Sequence, residues 1–218
     1  MKIYLPITLL TFLCLSDPVQ AQVQKGTKYL AATISFDGYN FRPSGYAVQQ
    51  TVSSQFTISP FLQAGKFFKD NRMAGIGLGS SNYIFSVSNN DGQNISKNRQ
   101  SRNAYTLAPY VRHYKPLNTK WAVFLNTSAE ISFLSLRYKA NGSRESDNGY
   151  GVGVKVVPGI SFWVTPRFAL ESDINLLSLG VSYSDIVDVK SINFNSAVTT
   201  NLNSYFSVRA SWYIHRPQ

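Results

Sequence analysis

Apolar and polar residues alternate with period two along most of the chain beyond residue 21. The last segment is the clearest: Phe206, Val208, Ala210, Trp212 and Ile214 interleave with Tyr205, Ser207, Arg209, Ser211 and Tyr213. Successive side chains of a strand point to opposite faces, so this is a strand with one apolar and one more polar face. Helical periodicity is almost absent.

The chain also repeats itself. Phe56-Thr57-Ile58-Ser59-Pro60-Phe61 resembles Tyr105-Thr106-Leu107-Ala108-Pro109-Tyr110, and Val156-Val157-Pro158-Gly159-Ile160 takes the same place in a third copy. The prolines are evenly spaced, since 109 − 60 and 158 − 109 are both 49. Equal spacing of this kind points to a repeated supersecondary unit. After each proline the strand runs on to a short segment with turn chemistry: Lys69-Asp70-Asn71-Arg72, Pro116-Leu117-Asn118-Thr119 and Thr165-Pro166-Arg167. Asn, Asp and Pro in these places reverse a chain tightly. Return strands follow over Met73–Val87, Trp121–Tyr138 and Phe168–Tyr183. Longer polar segments separate the hairpins: Gly38–Ser54, Ser88–Arg102, Lys139–Gly149 and Ser184–Asn203. With a first strand near Lys28–Asp37 and a last near Ser204–His215, the expectation is eight strands, three short turns and four long loops.

Strict alternation of short and long connections, with an even strand count, is the signature of a transmembrane β-barrel. The predicted fold is therefore all-β: an eight-stranded antiparallel up-and-down transmembrane barrel with short periplasmic turns and long extracellular loops. A soluble lipocalin-like carrier is the rival architecture, and it would carry its large apolar residues inside. The polar face decides between them. It holds Arg112, Glu130, Lys155, Glu171, Asp173 and Arg209 in mid-strand, among Gly, Ser and Asn. Three cations and three anions balance, which suits the interior of a narrow barrel where charges must pair. Aromatics gather near the short-turn ends (Phe67, Phe68, Tyr114, Trp121, Trp163, Phe168, Trp212, Tyr213) and near the loop ends (Tyr83, Phe85, Tyr138, Tyr150, Tyr183). Two such groups match the interfacial belts of membrane barrels.

Composition agrees. Of 218 residues, 44% are hydrophobic and 14% aromatic, but only 15% are charged, against about 25% in an average globular domain. Mean hydropathy is −0.13, and no run past the N-terminus reaches the roughly 20 apolar residues of a helical span. Met1-Lys2, the apolar run Ile3–Leu15, and the small residues Val19 and Ala21 read as a secretory signal over residues 1–21, cleaved before Gln22. Thr11-Phe12-Leu13 before Cys14 lacks the small residues of a lipoprotein signal. The remaining 218 − 21 = 197 residues contain no cysteine, so disulfides are excluded. The net charge of +10 would suit nucleic acid, but export directs it to a membrane surface instead.

Candidate chemistry is sparse. Gly75, Gly77, Gly79 and Gly149, Gly151, Gly153 mimic parts of a dinucleotide fingerprint, which needs a strand before and a helix after; these are read as lumen or bend glycines. His113 and His215 without cysteine make no metal site, and no cofactor is expected. Lys97, Arg99, Arg102, Lys139 and Arg144, with Arg137 just inside, gather at the outer rim, where Arg and Lys suit phosphorylated surface lipid.

Thr57–Pro60 with Gly65–Gly79, Ala108–Tyr114 and Pro158–Phe162 resemble the small outer-membrane β-barrel family common in Bacteroidetes. The resemblance covers essentially all of the chain beyond residue 21. It implies an outer-membrane location, contact with outer-membrane lipid and lipopolysaccharide, and insertion by the barrel-assembly machinery. It carries no catalytic residues. Such barrels usually end on an aromatic that the machinery reads, whereas His215-Arg216-Pro217-Gln218 follow Ile214 here, leaving Trp212 and Tyr213 for that role. The rival functional class is a lipid A acyl hydrolase or acyltransferase. It would need a Ser–His–carboxylate set in the outer half of the membrane, and both histidines fall at the turn end. The reading is a non-enzymatic, monomeric barrel with a structural or surface-interaction role and a filled lumen.

Overall fold

The computed structural model describes residues 23–41, 50–90, 95–140, 143–174, 178–186, 189–196 and 206–214; the expected signal segment lies outside them. They form antiparallel strands: β1 (Lys28–Phe41), β2 (Gln50–Lys69), β3 (Arg72–Asn90), β4 (Ile95–Pro116), β5 (Trp121–Ala140), β6 (Ser143–Thr165), β7 (Phe168–Ile174), β8 (Leu179–Ile186), β9 (Val189–Ser196) and β10 (Phe206–Ile214). Strands β1 to β7 and β10 close into an eight-stranded ring, β10 pairing with β7 on one side and with β1 on the other. Closure removes the free edges that a sheet cannot expose to lipid.

The strands are longer than expected. Much of the predicted loops Gly38–Ser54, Ser88–Arg102 and Lys139–Gly149 is strand, and β4, β5 and β6 run 22, 20 and 23 residues. A span needs only about 9–11, so the hairpins project well past any bilayer. Their Ser- and Asn-rich polar sequence still pairs in a ladder, which is why turn-like composition misleads here. The expected seventh strand Phe168–Tyr183 is divided between β7 and β8, and the expected loop Ser184–Asn203 contributes β9. Against β6 the register passes from Gly159↔Asp173 to Val156↔Leu179, three steps on β6 against six on its partner.

The three short turns lie where Asn, Asp and Pro placed them. Asn71 adopts the left-handed conformation, φ 57°, which Asn tolerates. Asn118 Oδ1 accepts the amides of Lys120 and Trp121, both at 2.9 Å. Thr165 Oγ1 accepts the amide of Arg167 at 3.3 Å.

The 49-residue repeat has a structural meaning. The β2–β3 ladder passes from Ile58↔Asn82 to Phe61↔Gly79, skipping Pro60, and the β4–β5 ladder passes from Leu107↔Ile131 to Tyr110↔Ser128, skipping Pro109. The step from β8 to β7 along β6 spans Pro158. Proline has no N–H to donate, so each repeat leaves one interruption in the ladder toward the following strand.

Candidate functional site

Two features of this barrel are built from its side chains: a closed lumen and an ordered outer wall. The lumen closes first at the turn end. Phe67, Tyr114, Trp163 and Tyr213 all point inward and are buried. They stand on β2, β4, β6 and β10 and touch in a cycle, with ring centroids 5.7, 6.2, 5.5 and 6.2 Å apart around it. Each is fixed by one backbone hydrogen bond to a residue at or beside a preceding turn. The amide of Phe67 donates to Thr27 O, Tyr114 to Asn71 O, Trp163 to Lys120 O and Tyr213 to Arg167 O, at 2.8–2.9 Å. Residues 23–27 lie across this end. Val23 is buried, and its carbonyl accepts the amide of Asn71 at 3.0 Å.

Above the ring of rings sits an ionic cluster. Glu171 is 1% exposed and receives five donors on its two oxygens. Tyr114 and Tyr213 donate to Oε1 at 2.8 and 2.6 Å; Tyr29, Arg112 and Arg209 donate to Oε2 at 2.6, 2.8 and 3.2 Å. Arg112, fully buried, also donates to Gln63 Oε1 at 3.1 Å and Asn126 Oδ1 at 3.2 Å. Its guanidinium lies 4.7 Å from the ring centroid of Phe124. Arg209 pairs in addition with Asp173. A carboxylate and two guanidiniums removed from water cost several kcal/mol each unless paired and hydrogen-bonded, and here tyrosines and amides complete the set. This cluster and the aromatic ring lie one above the other in the lumen at that end, and their side chains are buried.

Beyond the cluster, toward the loop end, lies a polar cavity of about 250 Å³ whose lining includes Ser59, Gln63, Glu130, Lys155, Asp173 and Arg209. Inward glycines make room for inward rings. A methyl group on Gly75 would meet Tyr110 and the carbonyl of Ala64, and one on Gly79 would meet the ring of Phe61.

The outer wall is the inverse of a soluble protein. Leu30, Leu62, Leu78, Leu107, Ile131, Phe133, Val154 and Val208 are all exposed, while Arg112, Glu171 and Arg209 are buried. An exposed apolar surface of this extent marks a membrane-facing wall, and it excludes the lipocalin-like arrangement. Along β4, β5 and β6 the wall runs from His113–Leu125–Pro158 to Tyr105–Phe133–Tyr150 in register. Eight residues at about 3.4 Å each and a tilt of about 40° make roughly 20 Å, and the girdles at its ends bring it to the expected band of about 25 Å.

No family model matches the chain, and no curated protein matches it. Among solved structures it is similar to Neisserial surface protein A (NspA), with 16% identity over 87% of this chain and 99% of that chain at a TM-score of 0.41. It is also similar to Ail, the attachment invasion locus protein of Yersinia pestis, with 13% identity over 87% of this chain and 99% of that chain at a TM-score of 0.35.

Of the six charges read from the polar face, four meet: Arg112, Glu171, Asp173 and Arg209. Glu130 and Lys155 do not join them. Both line the cavity, and among the described residues neither makes an ion pair. The reason is register, since Lys155 lies opposite Ser128 and Glu130 opposite Gly153. The turn-end aromatic group divides as well. Phe68, Trp121 and Trp212 face outward as a belt would, but Phe67, Tyr114, Trp163 and Tyr213 face inward and form the plug instead. Alternation held the signal for this, because Tyr213 shares its face with Arg209 and Ser211. Residues missed from sequence are Tyr29, Gln63, Tyr114, Asn126 and Tyr213. The repeat could have supplied Gln63, which precedes Arg112 by the same 49 residues that separate the prolines.

At the loop end, Arg99, Lys139 and Arg144 are direct cross-strand neighbours on β4, β5 and β6, and all three are exposed. Lys97 stands further out on the same face of β4, opposite Ser88. Arg102 departs from this group: it falls on the alternate face of β4, between Tyr83 and Leu136. His113 is exposed at the turn end, and His215 lies outside the described residues.

Proposed function

We propose that the chain is an integral outer-membrane β-barrel with a structural or surface-interaction role, non-enzymatic and closed to solute flow. The single observation that carries this reading is the double closure of the lumen, by the four-ring cycle of Phe67, Tyr114, Trp163 and Tyr213 and by the Arg112–Glu171–Arg209 cluster. Eight strands leave an interior just filled by side chains, and here the filling is aromatic and ionic. Interaction is then left to the outer wall and to the hairpins that extend beyond it. In this reading the N-terminal signal exports the chain, the barrel-assembly machinery inserts it, the protein works as a monomer, and its standing partner is outer-membrane lipid, lipopolysaccharide included.

Two measurements on the detergent-extracted protein test this. Heat-modifiable gel mobility is expected of a closed barrel, and planar bilayers containing it are expected to stay at baseline conductance. A detergent-free soluble monomer would overturn the membrane assignment, and steady open-channel current would overturn the closed lumen. Formation of deacylated or palmitoylated lipid A by the purified protein would replace the structural role with an enzymatic one.

A further inference from the structure

The outward face of β4–β5–β6 is ordered row by row. Tyr105, Phe133 and Tyr150 form one cross-strand row, each about half exposed. The next outward row is Asn103, Ser135 and Asn148, then Ser101, Arg137 and Ser146, then Arg99, Lys139 and Arg144. Strands β4 and β6 thus pass from aromatic, through amide and hydroxyl, to cation in the same number of steps, and β5 reaches Lys139 in that number with Arg137 one row before it. On β2 and β3 the row continuing Arg99 is Ser54 and Ser86, so among the described residues the row carries no cation on those two strands.

Three like charges directly opposite one another on neighbouring strands destabilise a sheet. Among the described residues no carboxylate forms an ion pair with Arg99, Lys139 or Arg144; the ion pairs there are those of the lumen. Such a row is accounted for when an anion lies over it. Height says which anion. Six residues separate Arg99 from Tyr105, Lys139 from Phe133 and Arg144 from Tyr150; at about 3.4 Å each and a tilt of about 40°, that is roughly 15 Å above the aromatic row. The headgroup layer of a phospholipid leaflet adds only about 5–8 Å to the hydrocarbon core. The cation row stands beyond it.

From these rows we infer a binding site for a polyanionic glycolipid whose phosphates are carried on an oligosaccharide. The acyl chains would lie against the apolar wall below Tyr105, Phe133 and Tyr150. The sugars would lie over the intermediate rows of amides, hydroxyls and Arg137, and Arg99 and Arg144 would hold phosphate with arginine's forked geometry while Lys139 adds a point charge. This rests on the outer-membrane reading and specifies the lipid that the wall selects.

The test uses the full-length protein in phosphatidylcholine vesicles, as wild type, as Arg99→Gln/Lys139→Gln/Arg144→Gln, and as Lys69→Gln/Lys120→Gln/Arg167→Gln. The last set removes the same charge from exposed positions at the turn end. The probes are core-bearing lipopolysaccharide, the same material stripped of phosphate, and phosphatidylglycerol. The row variant is expected to lose at least tenfold in affinity for intact lipopolysaccharide, and phosphate removal to cost wild type as much. The turn-end variant should bind as wild type does, and phosphatidylglycerol should not compete. Unchanged binding by the row variant, an equal loss in the turn-end variant, or effective competition by phosphatidylglycerol would each overturn the site. Heat-modifiable mobility and baseline conductance separate the two levels: their loss in wild type strikes the barrel reading, whereas unchanged lipid binding in a row variant that keeps both strikes only this site.

Discussion

Arg112 Nη1 lies 2.8 Å from Glu171 Oε2, and neither side chain is exposed to solvent. The two come from β4 and β7, which are not neighbours in the ring, so the bond crosses the lumen. Breaking a buried pair by removing one partner costs about 3–5 kcal/mol, because the other charge stays buried and unpaired. Glu171→Leu is therefore expected to lower unfolding stability by that amount. Arg112→Met/Glu171→Leu should lose less than the sum of the two single changes, as no orphaned charge is left between those positions. Denaturant titration in detergent micelles reads both, and strictly additive losses would contradict the pairing.

The aromatic cycle and the ionic cluster are stacked in the lumen. Phe67→Ala/Trp163→Ala removes two opposite members of the cycle, each at a cost of about 3–5 kcal/mol, yet the cluster still blocks the lumen. Planar-bilayer current is expected to remain at baseline. Adding Arg112→Ser/Glu171→Ser should open a measurable conductance. Current from the first variant alone would show that the cluster does not seal.

Depth along β6 separates wall from projection. Val154 is exposed within the apolar rows, and Asn148 lies on the same face beyond the aromatic row. Val154→Lys is expected to cost about 2–4 kcal/mol, as for a lipid-facing charge near the midplane, and Asn148→Lys about 0–1. The comparison is read from folded fraction against denaturant in vesicles. Equal costs would remove the membrane from that stretch of wall.

Small and large residues are matched across the lumen. A side chain at Gly79 would meet the ring of Phe61 and no other residue's atoms so closely. Gly79→Val is expected to cost about 1–3 kcal/mol as overpacking, and Phe61→Ala in the same chain should recover part of it. The readout is the temperature at which the folded band is lost on a gel, and failure of the second change to rescue would deny the contact.

Local chemistry was legible along the chain. Period-two alternation showed the two faces, and Asp70-Asn71, Asn118 and Pro166 marked the three reversals where they occur. The fourfold aromatic plug was not legible in the same way. Phe67 and Phe68 look alike in sequence, but they occupy opposite faces of β2, one sealing the lumen and the other exposed to lipid. Loop length was misread because Ser- and Asn-rich hairpins resemble turns by composition while their backbones still pair.

The sequence by itself determined an antiparallel sheet with a charged polar face, an apolar face large enough to need lipid, and a unit repeated every 49 residues. These follow from local propensity and from which side of a strand each residue takes. Only the tertiary structure decided that Glu171 joins Arg112 and Arg209 while Glu130 and Lys155 do not, and that Arg99, Lys139 and Arg144 share one row. The physical reason is register and closure. Which residues meet across a lumen or between strands depends on how far each strand slides against its neighbour and where the ring shuts, and neither is encoded by any single stretch of chain.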